Sequence, residues 1–183
     1  LCALFLTSRK IPAAMDWVKT LKGQGDQVSK LVEKGKSQFA GPEIQGKALG
    51  VVGLGAIGIL VANAAVQLGM EVYGYDPFLS VDSAWHLSSG VRRSLSLEEI
   101  YQNCDYITLH LPLNNDTRGT INAEAIAKMK DGARILNFAR GELVDEAALE
   151  EAMASGKVAA YATDFPTDSQ LGRENVVALP HLG

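Results

Sequence analysis

The sequence predicts an α/β fold: a doubly wound parallel sheet with helices on both faces, preceded by an N-terminal helical arm. From Ala48 onward, short apolar and β-branched runs alternate with segments of helical periodicity. A glycine-rich turn follows the first of these runs. Residues 1–34 are instead helical in character, with Ile11-Pro12 as a break, and Phe39 to Gly46 form a turn-rich connector.

The arm and connector comprise residues 1–45, which should contain three helical pieces. Pro12 suits the first turn of the second piece, and Asp26 is the expected N-cap of the third. The arm is rich in apolar side chains, more than a 40-residue appendage is expected to bury alone, which predicts a homodimer. These side chains are Leu4, Phe5, Leu6, Met15, Trp17 and Val18.

The central feature is a strand, Ala48 to Val52, followed by the G-x-G-x-x-G turn of Gly53, Gly55 and Gly58. Gly53 lets the chain turn out of the strand, and Gly55 lets the backbone approach a pyrophosphate. Gly58 lets the following helix pack closely against the strand. The phosphates would meet free N–H groups at the start of that helix. The turn therefore predicts dinucleotide binding.

An acid completes this pattern. Asp76 ends the second apolar run, 18 residues after Gly58. A carboxylate at this position can accept hydrogen bonds from both hydroxyls of the adenine ribose and would repel a 2′-phosphate. No Lys or Arg follows Asp76 until Arg92. The expected cofactor is therefore NAD rather than NADP.

The remaining elements follow from caps and short apolar runs. Ser96, Asn122 and Asp145 are the expected N-caps of three helices, and Gly156 is expected to end the last of them. The segment 77–90 is expected to be irregular or a short helix. The expected strands are Val91 to Ser94, Tyr106 to Leu111, Ala133 to Ala139, Val158 to Thr163 and Val176 to Leu179.

In such a sheet the loops after the strands meet at one edge, where the ligand binds. That edge should gather Asp76, Leu111-Pro112, Ala139-Arg140, Asp164 and His181. We expect these residues to form the functional site.

Composition limits the other partners. The net charge is −4, with no long basic run, which argues against nucleic acid or an anionic membrane. The opening apolar run, Leu1 to Leu6, is too short for a signal peptide or membrane span. Cys2 and Cys104 are too few for a disulfide framework or a thiolate metal site, so no metal is expected. Both thiols are expected to be buried in the fold. The low cysteine count also predicts that the protein is located in the reducing cytoplasm.

Several ordered motifs together resemble the NAD-dependent D-2-hydroxyacid dehydrogenases. They are GVVGLGAIG with GYDPF, the segment from YITLHLPL through NFARGELVDEAAL, then YATDFP and LPHLG. The resemblance implies a Rossmann-type domain over residues 46–183 that serves hydride transfer between NAD and a D-2-hydroxy acid. The motifs favour the branch that acts on 3-phosphoglycerate in serine biosynthesis. The second, substrate-binding domain of the family is expected to lie outside this chain.

The resemblance also implies catalytic residues. Arg140, in the family's ARG motif, would hold the substrate carboxylate, and His181, in its PHxG motif, would accept the hydroxyl proton. The family's Glu, which pairs with this His, falls on Asp168 in a loop that is one residue shorter here. Glu174 is a weaker alternative.

For the cofactor, the resemblance implies backbone contacts from the glycine turn and side chains from the strand ends. The residues are Gly53, Gly55, Ala56, Ile57, Gly58, Asp76, Pro77, Leu111, Pro112, Phe138, Ala139, Arg140, Asp164, His181 and Gly183. Two alternatives stay open. One is an NAD-sensing, corepressor-like binding module without turnover, which would not need the Arg, acid and His set. The other is a scaffold with a decayed site, which would bind no dinucleotide.

Overall fold

The computed structural model describes residues 1–181 of the chain. The helices of this part are α1 (Cys2–Ser8), α2 (Ile11–Thr20), α3 (Val28–Gly35), α4 (Ala56–Gln67), α5 (Val81–Trp85), α6 (Leu97–Asn103), α7 (Ala123–Lys128) and α8 (Glu146–Ser155). The strands are β1 (Ala48–Val52), β2 (Glu71–Tyr75), β3 (Val91–Arg93), β4 (Tyr106–Leu109), β5 (Ala133–Asn137), β6 (Val158–Thr163) and β7 (Val176–Ala178).

These strands form one parallel sheet in the order β3-β2-β1-β4-β5-β6-β7. β1 is an inner strand, with Gly50 opposite Tyr73 of β2 on one side and Ile107 of β4 on the other. The chain runs outward from β1 to β3 and then returns to place β4 on the other side of β1. The carboxyl ends of β1 and β4 therefore flank the crevice in which sheets of this kind bind ligands. The predicted doubly wound sheet is confirmed.

Helices cover both faces of the sheet, as predicted. Along β4, Ile107 and Leu109 pack in the cluster that includes residues of α6, α7 and α8. Tyr106 faces the opposite way, into the cluster that includes residues of α1 and α4. Burial of each large apolar side chain contributes about 1.5–3 kcal/mol, so the two clusters provide much of the stability of the sheet.

The helix caps follow the sequence prediction. The side chains of Ser96, Asn122 and Asp145 each accept the backbone N–H of the residue three positions later. Gly156 ends α8 with φ 80°, a conformation that favours glycine. The predicted strands that begin at Tyr106 and Ala133 each end two residues early, because the chain there leaves the ladder to form the loops of the sheet edge.

The first helix packs against the sheet, on β5, β6 and β7. Leu4 is only 1% exposed there, so its predicted place on a dimer surface is wrong. Arg134 of β5 fixes this packing: its Nε donates to the carbonyl of Thr7 at 2.9 Å, and its guanidinium lies over the Tyr106 ring. The apolar surface of the arm is therefore partly satisfied within the chain.

Two smaller expectations are also wrong. Asp26 does not cap the third helix, because Gly25–Gln27 form a 3-10 turn of their own and Gln27 precedes the helix. Cys2 is exposed, because helical spacing turns Ala3 and Leu4 toward the sheet and leaves Cys2 outside; Cys104 is buried as expected. None of the helices in residues 1–181 has the length and apolar character needed to cross a membrane.

Candidate active site

The glycine turn between β1 and α4 has the geometry expected of a phosphate cradle. Gly53 has φ +93°, and a Cβ on Gly58 would lie 2.0 Å from the carbonyl oxygen of Gly53. Both positions therefore require glycine. Gly55 precedes α4 without a side-chain cap, and the space where its Cβ would stand is open. The unpaired N–H groups of the first turn of α4 thus face a region that an anionic ligand can enter.

A cavity of about 670 Å³, here called the edge cavity, lies beside this turn at the carboxyl ends of the central strands. It collects residues from loops that are far apart in the sequence, as the sheet topology predicts. Its lining comprises Gly55, Ala56, Ile57, Gly58, His110, Leu111, Pro112, Phe138, Ala139, Arg140, Asp164, Leu179, Pro180 and His181. Most of the residues that the resemblance implied for the cofactor are thus brought together.

Asp76 and Pro77 lie in a neighbouring cavity of about 330 Å³, the Asp76 cavity. The Asp76 carboxylate accepts the backbone N–H groups of Leu54 at 2.9 Å and Phe78 at 2.8 Å. These bonds hold it at the end of β2 beside the glycine turn. Each oxygen keeps a lone pair, so the carboxylate can still accept from a ribose hydroxyl.

Arg93 lines the same cavity, which the sequence argument missed. Arg93 is 17 residues beyond Asp76 in the chain, but β3 pairs with β2 and places Arg93 opposite Gly74. Separation along the sequence therefore did not measure separation in space. A positive charge near Asp76 moderates the repulsion of a 2′-phosphate that the sequence argument relied on.

Arg140 stands at the end of β5, in a loop that Asn137 shapes. The fully buried Asn137 side chain donates to the carbonyl of Arg140 at 2.8 Å and accepts the N–H of Ala139 at 3.2 Å. One guanidinium nitrogen of Arg140, Nη1, donates to the carbonyl of Ala139. The exposed guanidinium has further donors, enough to hold a carboxylate with two parallel bonds.

His181 pairs with Asp164, at 3.2 Å between Nδ1 and Oδ2. Asp164 follows β6 directly, and its side chain is only 11% exposed. Its other oxygen, Oδ1, is buried and has no hydrogen-bond partner among residues 1–181. A buried acceptor left open beside the edge cavity fits an amide N–H donor, such as the carboxamide of NAD.

The structure does not bring Asp168 to His181, and here the sequence expectation needs correction. Asp168 is exposed, begins a 3-10 turn over Asp168–Gln170, and does not line the edge cavity. The shortened loop places Asp164, rather than Asp168, against the imidazole. Glu174 is ion-paired with Lys10 at 2.5 Å and is also outside the cavity. Gly183 lies outside the described residues.

His110 is a cavity residue that the sequence reasoning missed. Burial lowers its pKa to about 4, so the ring is neutral at pH 7. Its Nε2 lies 3.1 Å from Thr108 Oγ1. The available signal was its position immediately before Leu111-Pro112, at the end of a strand that points to the predicted edge.

Comparison with known proteins gives a family match over the whole chain. The model of the D-isomer specific 2-hydroxyacid dehydrogenase NAD-binding domain matches residues 1–183. D-3-phosphoglycerate dehydrogenase of Bacillus subtilis is 43% identical over 157 residues, which is 82% of this chain and 29% of that protein. The chain thus spans less than a third of the length of this curated relative.

Solved structures agree in fold. Apo D-mandelate dehydrogenase of Rhodotorula graminis matches with a TM-score of 0.80 at 28% identity, over 100% of this chain and 54% of that one. D-lactate dehydrogenase of Aquifex aeolicus, solved with NAD and lactic acid, matches with a TM-score of 0.71 at 33% identity. That match covers 90% of this chain and 55% of the other.

Proposed function

Since the chain belongs to the D-isomer specific 2-hydroxyacid dehydrogenase family as its NAD-binding domain, we propose that it serves an oxidoreductase acting on a D-2-hydroxy acid. The observation that carries the proposal is the edge cavity. One cavity joins the glycine turn to Arg140 and to the His181–Asp164 pair. A module that only sensed NAD would have no use for a carboxylate clamp and a proton acceptor there.

Each of these residues has a distinct task in the proposed reaction. Bound NAD supplies a ring that can take up a hydride. Arg140 holds the substrate carboxylate, and His181 accepts the proton of the substrate hydroxyl at the nitrogen not facing Asp164. Asp164 fixes the orientation of the imidazole through Nδ1 and offers Oδ1 to the cofactor amide. In this proposal Asp164 takes over the pairing first expected of Asp168.

The proposed substrate is 3-phosphoglycerate, which would place the reaction in serine biosynthesis. Support comes from the Bacillus subtilis relative and from the motifs of the sequence. Residues 1–45 are proposed to be the arm that leads into the cofactor domain of residues 46–183, with α1 docked on its sheet. We also propose a homodimer through this arm. The two cysteines, neither of them in a disulfide, are consistent with a cytoplasmic location.

The cofactor choice provides the direct test. We expect calorimetry to show at least tenfold tighter binding of NAD than of NADP, because Asp76 accepts from ribose hydroxyls and opposes a 2′-phosphate. Asp76→Asn should narrow that ratio. Arg93→Gln in the Asp76→Asn background should then weaken NADP binding selectively, because Arg93 lines the same cavity.

Arg92→Gln is the matched control, because Arg92 contacts Tyr73 and Glu71 and does not line the Asp76 cavity. It should leave both affinities unchanged. NADP binding equal to or tighter than NAD binding by the unaltered chain would contradict the cofactor assignment. A chain that binds neither dinucleotide would be a decayed scaffold.

A further inference from the structure

Glu146, in the first turn of α8, connects two loops of the sheet edge. Its Oε1 accepts hydrogen bonds from the hydroxyl of Thr167 and, at 2.8 Å, from the hydroxyl of Ser169. These bonds lower the pKa of Glu146, as expected for a carboxylate whose ionised form is the acceptor. Glu146 belongs to the segment that runs from Arg140 into α8, whereas Thr167 and Ser169 belong to the loop after β6. The two segments are therefore joined at one oxygen.

The loop after β6 is also fixed from within. Thr167 caps the 3-10 turn of Asp168–Gln170, and the buried Gln170 side chain accepts the N–H of Thr167 at 3.3 Å. At the start of the loop, the N–H of Phe165 donates to Thr163 Oγ1 at 3.0 Å. Asp164 and Phe165 thus lie between two fixed points of the chain, the end of β6 and the residues that hydrogen-bond to Glu146.

Phe165 transmits this arrangement to the active site. Its ring meets the His181 ring edge-on, with 5.0 Å between centroids and an interplanar angle of 63°. On the other side its Cβ lies close to Gly141, where an added Cβ would stand 3.5 Å away. Phe165 therefore lies between the residue that follows Arg140 and the imidazole of His181. The imidazole is in contact with two consecutive residues of one loop, Asp164 and Phe165.

We propose that Glu146 is a positioning residue, which acts through Thr167 and Ser169 to hold Asp164 and Phe165 against the His181 ring. This inference rests on the proposed function, in which His181 accepts the substrate proton. The family-typical acid position, Asp168, is turned out to solvent here, so the orientation of His181 depends on Asp164 and Phe165 instead. The hydrogen bonds from the loop to Glu146 of α8 fix the position of Asp164 and Phe165, and so keep the imidazole aligned with the substrate site.

The test measures the chemical shifts of the His181 ring protons by nuclear magnetic resonance. The Phe165 ring displaces these chemical shifts from their denatured-state values. The chain has three histidines, and the His181→Asn variant identifies the signal. Glu146→Ala removes both hydrogen bonds and should remove more than half of the displacement, as should Phe165→Leu. Glu146→Gln removes the charge but keeps an acceptor oxygen, and should retain the displacement.

Glu151→Ala is the matched control, an exposed glutamate on the same helix. It should change nothing, and the His110 and His86 signals should stay in place in every variant. An unchanged His181 signal in Glu146→Ala, or equal loss in Glu146→Ala and Glu146→Gln, would overturn the proposal. If Glu146→Ala does not fold, Ser169→Ala takes its place. That variant removes one of the two hydroxyl donors and should remove part of the displacement of the His181 signal. An unchanged displacement in Ser169→Ala would overturn the proposal as well.

Calorimetry with NAD on the same samples separates this inference from the function on which it rests. Absence of NAD binding by the unaltered chain would count against the proposed function, whatever the ring signals show. Normal NAD binding together with an unchanged His181 signal in Glu146→Ala would count only against the positioning role of Glu146.

Discussion

His110 shows how a residue can be placed by the sheet rather than by any motif of its own. It follows β4, lines the edge cavity and contacts Thr108, and burial keeps its ring uncharged at pH 7. With a neutral imidazole there, the negative charge of a pyrophosphate would be met by the N–H groups at the start of α4. Its burial has a measurable consequence for stability.

The stability of the fold should fall on acidification partly because of His110. Its pKa is about 4 in the folded chain, against about 6.5 when unfolded, so the unfolded state binds the proton first. The stabilisation is therefore complete above pH 6.5 and is lost as the pH falls toward 4. Between pH 7 and 4.5 the loss attributable to His110 is about 2 kcal/mol. Urea unfolding of His110→Gln should show a correspondingly smaller loss than the unaltered chain.

His86→Gln serves as the comparison, because His86 is exposed. Between pH 7 and 4.5 its free energy of unfolding should fall by the same amount as that of the unaltered chain. An equal acid-induced loss in His110→Gln and the unaltered chain would show that His110 titrates normally.

Local signals were predictable at single residues and long-range ones were not. Ser96 and Asp145 could be identified as caps because a cap bonds to a backbone N–H only three residues away. Asp168 was misplaced because the path of a shortened loop depends on what it packs against. Arg93 was missed because only strand pairing brings it beside Asp76.

At the level of elements, apolar runs and glycines predicted the strands well, since buried parallel strands need continuous apolar sequence. The arm was harder, because helical periodicity reveals an apolar face and not the surface that covers it. The sheet covers part of that face through Leu4, while Met15 stays 60% exposed and Val18 45% exposed. The uncovered apolar surface of the arm is thus larger on α2 than on α1, where Phe5 is 42% exposed.

This surface predicts that a homodimer forms through α2. Light scattering at micromolar concentration should give twice the 19.5 kDa chain mass. The double variant Met15→Glu/Val18→Glu should shift the mass to that of one chain, because charges on a buried apolar interface lack partners. Trp85→Glu changes a residue that is 83% exposed on α5 and should leave the dimer intact. A monomeric mass for the unaltered chain would contradict the proposal.

At the level of the whole molecule, the parallel topology gathers the strand ends, so an ordered set of distant motifs becomes one cavity. The sequence could predict this gathering because topology alone determines it. The relatives are much longer than the chain, which spans 29% of the Bacillus subtilis protein. We therefore expect the opposite wall of the substrate cleft to come from residues outside the match.

The chain alone should accordingly bind NAD but form no NADH from 3-phosphoglycerate, measured by absorbance at about 340 nm. Positioning substrate against cofactor supplies roughly 7–11 kcal/mol of barrier reduction. When only one wall of the cleft is present, water reaches the site and weakens the hold of Arg140 on the carboxylate.

A chimera in which this chain replaces the matching part of the Bacillus subtilis enzyme should restore turnover. Arg140→Lys in the chimera should reduce turnover sharply, because lysine cannot form the two parallel bonds to the carboxylate. Chimeras with Arg118→Lys, a surface arginine outside the cavity, provide the control. Turnover by the chain alone at the rate of the chimera would show that a second wall is dispensable, whereas a chimera that binds NAD without turnover would favour the NAD-sensing alternative.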